Sequence, residues 1–204
     1  MMPIVVAALL VAFLLALVWL SKGGEKILAA RNAKLAAVAA DHGLAVDPVD
    51  DAMLFSAGGR APSGPGLRLR IDRVAGPGDG TRFVFRVGAR PARGLPAVAI
   101  RLRGREGAVE DGDARLRVIA TGDAAFDERF VTLVADEAAA AGLLDRARPA
   151  LLALGTAPLG GAESLTLGGE ATLAFDCTFD TAFFEDGRLE DAVRLVIDLA
   201  AAPR

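Results

Sequence analysis

Leu67-Arg-Leu-Arg-Ile-Asp-Arg73 alternates apolar and charged residues with period two, and on that alternation the fold is read. In an extended chain successive side chains point to opposite faces, so Leu67, Leu69 and Ile71 share one face and Arg68, Arg70 and Asp72 the other. Gly76-Pro-Gly-Asp-Gly80 reads as a turn, and Thr81 to Val87 returns with Phe83, Phe85 and Val87 in step. Val98-Ala-Ile-Arg-Leu-Arg103 and Ala114-Arg-Leu-Arg-Val-Ile119 repeat the alternation. The Gly- and Asp-bearing connection from Gly104 to Asp113 is too short for a crossover, so antiparallel hairpins are expected. One apolar and one polar face imply a sheet covered on one side.

Outward from these strands, residues 56–66 read as a loop by their Gly, Pro and Ser content. Asp136 is placed as the N-cap of a helix from Glu137 to about Leu154, with Pro149 expected to kink it or divide it in two, and Gly155 to close it. Leu165-Thr-Leu167, a Gly168-Gly169 turn and Ala171 to Phe179 form a second hairpin. A final helix from about Leu189 carries Leu189, Ala192, Val193, Val196 and Ala200 on one stripe. Glu25 to Asp41 reads as a helix, stopped by Gly43 in the left-handed conformation and barred from continuing by Pro48.

Ile4 to Leu20 contains no charge, and twelve of its seventeen residues are Ile, Val, Leu or Phe. With Met1, Met2 and Pro3 it reaches about 30 Å as a helix, the depth of a bilayer's hydrocarbon core. A cleaved signal peptide needs a basic segment ahead of a shorter apolar core; no Lys or Arg precedes this run. Lys22, Lys26, Arg31 and Lys34 follow it, which by the positive-inside rule holds the C-terminal side in the cytoplasm, with Trp19 at the interface. The expected fold class is therefore α+β: an N-terminal transmembrane helix followed by an antiparallel-sheet domain with helices on one face. Residues 1–21 are the anchor in a bacterial inner membrane, 22–43 a juxtamembrane helix and 44–204 a single soluble α+β domain.

Arg outnumbers Lys twenty to three, the usage of a GC-rich bacterial genome. The net charge of −3 is unevenly spread: residues 60–119 carry thirteen arginines against six acids, residues 120–204 six against fifteen. The lone Cys177 alternates with Phe175 and Phe179 and reads as a buried structural thiol. His42, the single histidine, has no second His or Cys beside it, so neither a His/Cys metal site nor a Ser-His-Asp triad is expected. The Gly-rich segments lack Gly-Lys-Ser/Thr, and neither opens a helix after a strand, so no phosphate loop is read. Glu110, Asp111 and Asp113 read as a solvated turn. Absence of Tyr argues against stacking on nucleic acid.

A helix ending in His42-Gly43-Leu44, an antiparallel sheet, Gly122-Asp-x-x-Phe126-Asp127-x-x-Phe130 and a following Ala/Leu helix with Leu143-Leu144 resemble a group of uncharacterised bacterial membrane-anchored proteins. The resemblance implies an α+β domain on a single anchor and no known activity. From the residues themselves, the expected function is a membrane-anchored cytoplasmic interaction or scaffold module without catalytic residues or cofactor. Its expected interaction face is the row Arg68, Arg70, Arg101, Arg103, Arg115 and Arg117, turned toward anionic lipid head groups or toward an acidic protein surface, a neighbouring copy included. The alternative is an enzyme or small-ligand domain using the carboxylates from Asp123 to Glu128. Against it, Asp123 is expected to make a turn and Asp127 a local backbone bond. Phe126 and Phe130 are expected in the core.

Overall fold

The computed structural model describes residues 25–51, 54–60, 65–75, 80–91, 93–103, 115–154, 161–177, 184 and 187–201, the side chains of 161–163 excepted. A helix over residues 25–41 (α1) leads to β1 (Ala45–Val46), β2 (Phe55–Arg60), β3 (Gly66–Ala75), β4 (Thr81–Arg90) and β5 (Val98–Leu102). Then follow β6 (Arg117–Ile119), α2 (Ala124–Arg129), β7 (Phe130–Val134), α3 (Glu137–Leu154), β8 (Gly161–Leu167), β9 (Ala171–Asp176) and α4 (Arg188–Ala200). The strands form one sheet in the order β1-β2-β3-β4-β9-β8-β5-β7-β6, antiparallel at every described pairing. The α+β class read from the alternating strands is the class of the fold.

Period-two alternation sorts the sheet into two faces. Leu67, Leu69 and Ile71 pair with Ala89, Val87 and Phe85, and all six are buried in a single core with Leu173, Phe175, Leu165, Ile100 and Phe130. All four helices among the described residues contribute to that core: Leu35, Val38 and Ala39 from α1, Phe126 from α2, Leu143, Leu144 and Leu151 from α3, Val193 and Val196 from α4. Helix α1 is thus built into the domain by its C-terminal half, and Lys34 ties it to Glu190 of α4 at 2.6 Å. Gly43, with φ of 67°, makes the expected left-handed stop. Helix α3 runs as one element with Pro149 inside it, rather than as two. Asp136 caps it, accepting from Ala139 N at 3.2 Å. Every member of the predicted α4 stripe is buried.

Several expectations are corrected. The anchor expected over residues 4–20 lies outside the described residues, and among those no helix is long and apolar enough to cross a membrane. Helix α3 has 18 residues but carries Glu137, Asp145, Arg146 and Arg148, and its apolar side faces the sheet. The fold class is corrected to an antiparallel nine-stranded sheet with helices, and placement in an inner membrane with a cytoplasmic domain is not supported.

Residues 56–60, read as part of a loop, belong to strand β2: Phe55 and Ala57 are buried against Ile71 and Leu69, and pairing to β3 overrides the glycines. The hairpin expected between β5 and β6 does not form; β7 lies between them. Val98, Ala99 and Ile100 are all buried, so β5 is covered on both faces, as suits an interior strand, whereas the short, Arg-bearing β6 suits the rim. The turns expected at 76–80 and 104–113, and Gly155, fall largely or wholly outside the described residues, Glu110, Asp111 and Asp113 among them.

Candidate functional site

The face turned away from the helices carries the arginines of β2, β3 and β4 except Arg73, which shares the parity of Leu69 and Ile71 and lies over the Phe83 ring. Register fixes their arrangement. Arg60 stands opposite Gly66, and Arg68 opposite Gly58; across the next ladder Gly66 meets Arg90, Arg68 meets Gly88 and Arg70 meets Arg86. Six arginines therefore have the parity of this face; Arg82, at the far end of β4, pairs with the buried Asp176 at 3.6 Å, and the other five stand together with glycines at the positions between them. Arg60, Arg68, Arg70 and Arg90 are exposed, and Arg86 is half-buried.

Two of the five are partly neutralised. Asp72 accepts from Nε of Arg86 at 2.9 Å and forms an ion pair with Nε of Arg70, also at 2.9 Å. Among the described residues, the guanidinium groups of Arg60, Arg68 and Arg90 take part in no hydrogen bond or ion pair. Asp47 and Glu170 line the same concavity, about 460 Å³, as Arg68, Arg70 and Arg90. Asp47 accepts from the Ser56 hydroxyl at 2.7 Å. Cations outnumber acids here, and several remain available.

The six arginines expected to form one face do not. Arg68 and Arg70 belong to the cluster. Arg101 lies in the same transverse row as Arg70 but on β5, across β4, β9 and β8, about 19 Å away at the usual strand spacing. Arg103 is in the turn after β5, where its guanidinium donates to the Asp127 carbonyl at 2.7 Å. Arg115 is exposed ahead of β6. Arg117 stands opposite Val134, whose side chain is in the core, so it has the parity of the helix-covered face; it reaches Glu137 of α3 at 3.4 Å. Nor is the face away from the helices uniformly solvated, since Val84, Ala99, Ala174 and Asp176 on it are buried.

Arg60, Arg86 and Arg90 were not singled out by sequence reasoning. A signal for two of them was present: the alternation of Thr81 to Val87 continues to Arg90, which sets Arg86, Gly88 and Arg90 opposite Val87 and Ala89. Arg60 lay in a segment read as loop.

The carboxylates from Asp123 to Glu128 serve local structure. Asp123 is the N-cap of α2 and accepts from Phe126 N at 3.1 Å. Asp127 accepts from Thr121 N at 3.0 Å, from Thr121 Oγ1 at 2.9 Å and from Gly122 N at 3.2 Å. Desolvation pulls the Asp127 carboxyl upward, but these hydrogen bonds and the nearby Arg148 outweigh it and hold the group below its ordinary value. Such a carboxylate is ionised and saturated with donors, the opposite of a poised general acid or base. Glu128 is exposed.

Cys177 is buried, and its Sγ donates to the Phe83 carbonyl at 3.2 Å. Burial pushes its thiol up to about 12, against the pull of the nearby Arg31 guanidinium. Among the described residues no group of three or more His, Cys, Asp or Glu side chains is placed to hold a metal ion. A second concavity, about 590 Å³, lies between Leu95–Ala97 and the first turns of α3. Its lining is mostly small or apolar, and its one acid, Asp136, caps the helix.

No protein-family model matches the chain, and no curated protein matches it. Among solved structures it is similar to the crystal structure of the mycobacterial trehalose monomycolate transport factor A, TtfA, at 18% identity, over 87% of this chain and 97% of that one, with a TM-score of 0.49. A likeness that distant carries no argument about function.

Proposed function

We propose that the protein is a non-enzymatic interaction module whose β2–β3–β4 face recognises an acidic protein surface. The observation that carries this reading is the register that gathers Arg60, Arg68, Arg70, Arg86 and Arg90 on one face, where Asp72 pairs with two of them and Asp47 and Glu170 line the same concavity. Guanidinium groups offer forked donors that match carboxylates, and charges clustered on one surface steer an oppositely charged partner into contact. A neighbouring copy is a poorer fit than a separate acidic protein. On the exposed sides of α3 and α4 the acids alternate with arginines, and Asp145 pairs with Arg148 and Asp191 with Arg194 within each helix.

The test is binding of the full-length protein to a fluorescein-labelled hexaglutamate peptide, followed by anisotropy at low salt, with a hexaglutamine peptide as control. Binding of the acidic peptide alone is expected, weakening as salt rises and lost when Arg60, Arg68 and Arg90 together become Gln. Equal binding of both peptides, or no effect of the triple substitution, removes this reading.

A further inference from the structure

Gly88 lies on β4 directly opposite Arg68 and between Arg86 and Arg90 on the same face. A Cβ at this position would come within 2.8 Å of Glu170 Oε1 and 3.1 Å of Glu170 Cδ, with Thr172 Oγ1 at 3.6 Å. The carboxylate of Glu170 therefore fills the space that the missing side chain leaves, at the edge of the concavity lined by Arg68, Arg70 and Arg90. It fills that space without being fastened there: among the described residues Glu170 makes no hydrogen bond or ion pair. The residue lies in the exposed bend that joins β8 to β9, so its side chain can leave without disturbing either strand.

We propose that the gap over Gly88 is a seat for one carboxylate of an acidic partner segment, and that Glu170 occupies it as an internal competitor until the partner displaces it. This rests on the interaction reading above and adds the position and regulation of its central contact. Arg68 and Arg90 supply the attracting charge from two sides, and Thr172 a hydroxyl donor. A Cβ at position 88 would stand 2.8 Å from the carboxylate oxygen and displace it, so Gly88 is what leaves the seat open. Glu170 lowers the affinity for acidic partners generally, since each must first exceed the chain's own carboxylate in the same field. A segment that also engages Arg60, Arg70 or Arg86 overcomes that competition, whereas an isolated carboxylate does not.

The labelled hexaglutamate peptide and the full-length protein test this directly. Glu170→Gln, which keeps the side chain's shape and removes its charge, is expected to tighten binding by about two- to fivefold, the scale of one exposed charge–charge interaction. Gly88→Ala is expected to abolish binding while the melting transition stays cooperative, and Arg68→Gln to weaken it. If Glu170→Gln leaves affinity unchanged or lowers it while Arg68→Gln still weakens binding, the competitor role is overturned and the interaction reading stands. Full binding by a folded Gly88→Ala variant overturns the seat in the same way. If neither the wild type nor Glu170→Gln binds the peptide at low salt, the interaction reading falls with it.

Discussion

The ring of Phe126, on α2, lies against that of Phe130, the first residue of β7, with centroids 4.8 Å apart and planes at 30°. Both side chains are fully buried, so the short helix is fastened to the sheet through one aromatic pair. Truncating such a residue removes its transfer free energy and leaves a cavity, typically about 3–5 kcal/mol. Phe130→Ala is expected to lower the melting temperature by roughly 10 °C. Circular dichroism melts of the two proteins check this, and a drop of only a degree or two would show that the pair is dispensable.

Asp127 gives the same corner a pH dependence. Its carboxyl is held below its ordinary value in the folded chain, so its stabilising contribution is present in full above the unfolded value of about 3.9. That contribution is lost as pH falls through the lower folded value. Asp127→Asn is expected to melt below the wild type at pH 7, and the gap between them to close as pH drops from about 5 to below 3. A gap that persists unchanged at the acid end would mean that the amide fails for reasons of shape and not of charge.

For Cys177 the direction is opposite. With its thiol pushed up to about 12 by burial, the group is neutral and enclosed at pH 8, and the thiolate is the reactive form. Iodoacetamide is expected to leave the native protein unlabelled at pH 8 and to label it once guanidinium chloride unfolds it. The stability contributed by the neutral buried thiol holds below the ordinary thiol value of about 8.5 and is lost as pH rises toward the folded value. Rapid native labelling would place the sulfur at the surface.

What the sequence reveals and what it hides follow from the range of each signal. Caps and stripes are local, and they were legible: Gly43, Asp136 and the α4 stripe are where spacing puts them. The face of β3 was legible because Leu67, Leu69 and Ile71 leave no choice of side. Strand order is non-local, and nothing within residues 98–119 announces that β7 inserts between β5 and β6. For the candidate site, Arg68 and Arg70 were legible as outward residues of one strand. Their partnership with Arg60, Arg86 and Arg90 depends on two ladders of cross-strand register. In β6 the pattern misleads: Leu116 and Val118 suggest one parity, but Ile119 is the residue that packs on the core, and Val118 is 67% exposed.

Thr132 sits on β7 between Ile100 and Ile119, 1% exposed, and its hydroxyl has no hydrogen-bond partner among the described residues. An unsatisfied buried hydroxyl costs about 1–3 kcal/mol, and a methyl of nearly the same size has no such cost. Thr132→Val is therefore expected to raise the melting temperature by a few degrees. An unchanged or lowered value would reveal a partner for the oxygen.

The parity of β6 can be tested by placing one charge on each side of it. Arg117 and Ile119 pair with Val134 and Thr132, both directed to the core, so Val118 between them points away. An Arg at position 118 then enters solvent on an edge strand, where charge is well tolerated. An Arg at position 119 must enter among apolar neighbours without an acid to receive it. Val118→Arg is expected to change the melting temperature by no more than about 2 °C, and Ile119→Arg to lower it by several times that amount. The reverse order would restore the parity suggested by the Leu116–Val118 alternation, because a shift of one residue exchanges the two faces of a strand. It would also move Arg117 away from Glu137 and onto the face that carries Arg68 and Arg70.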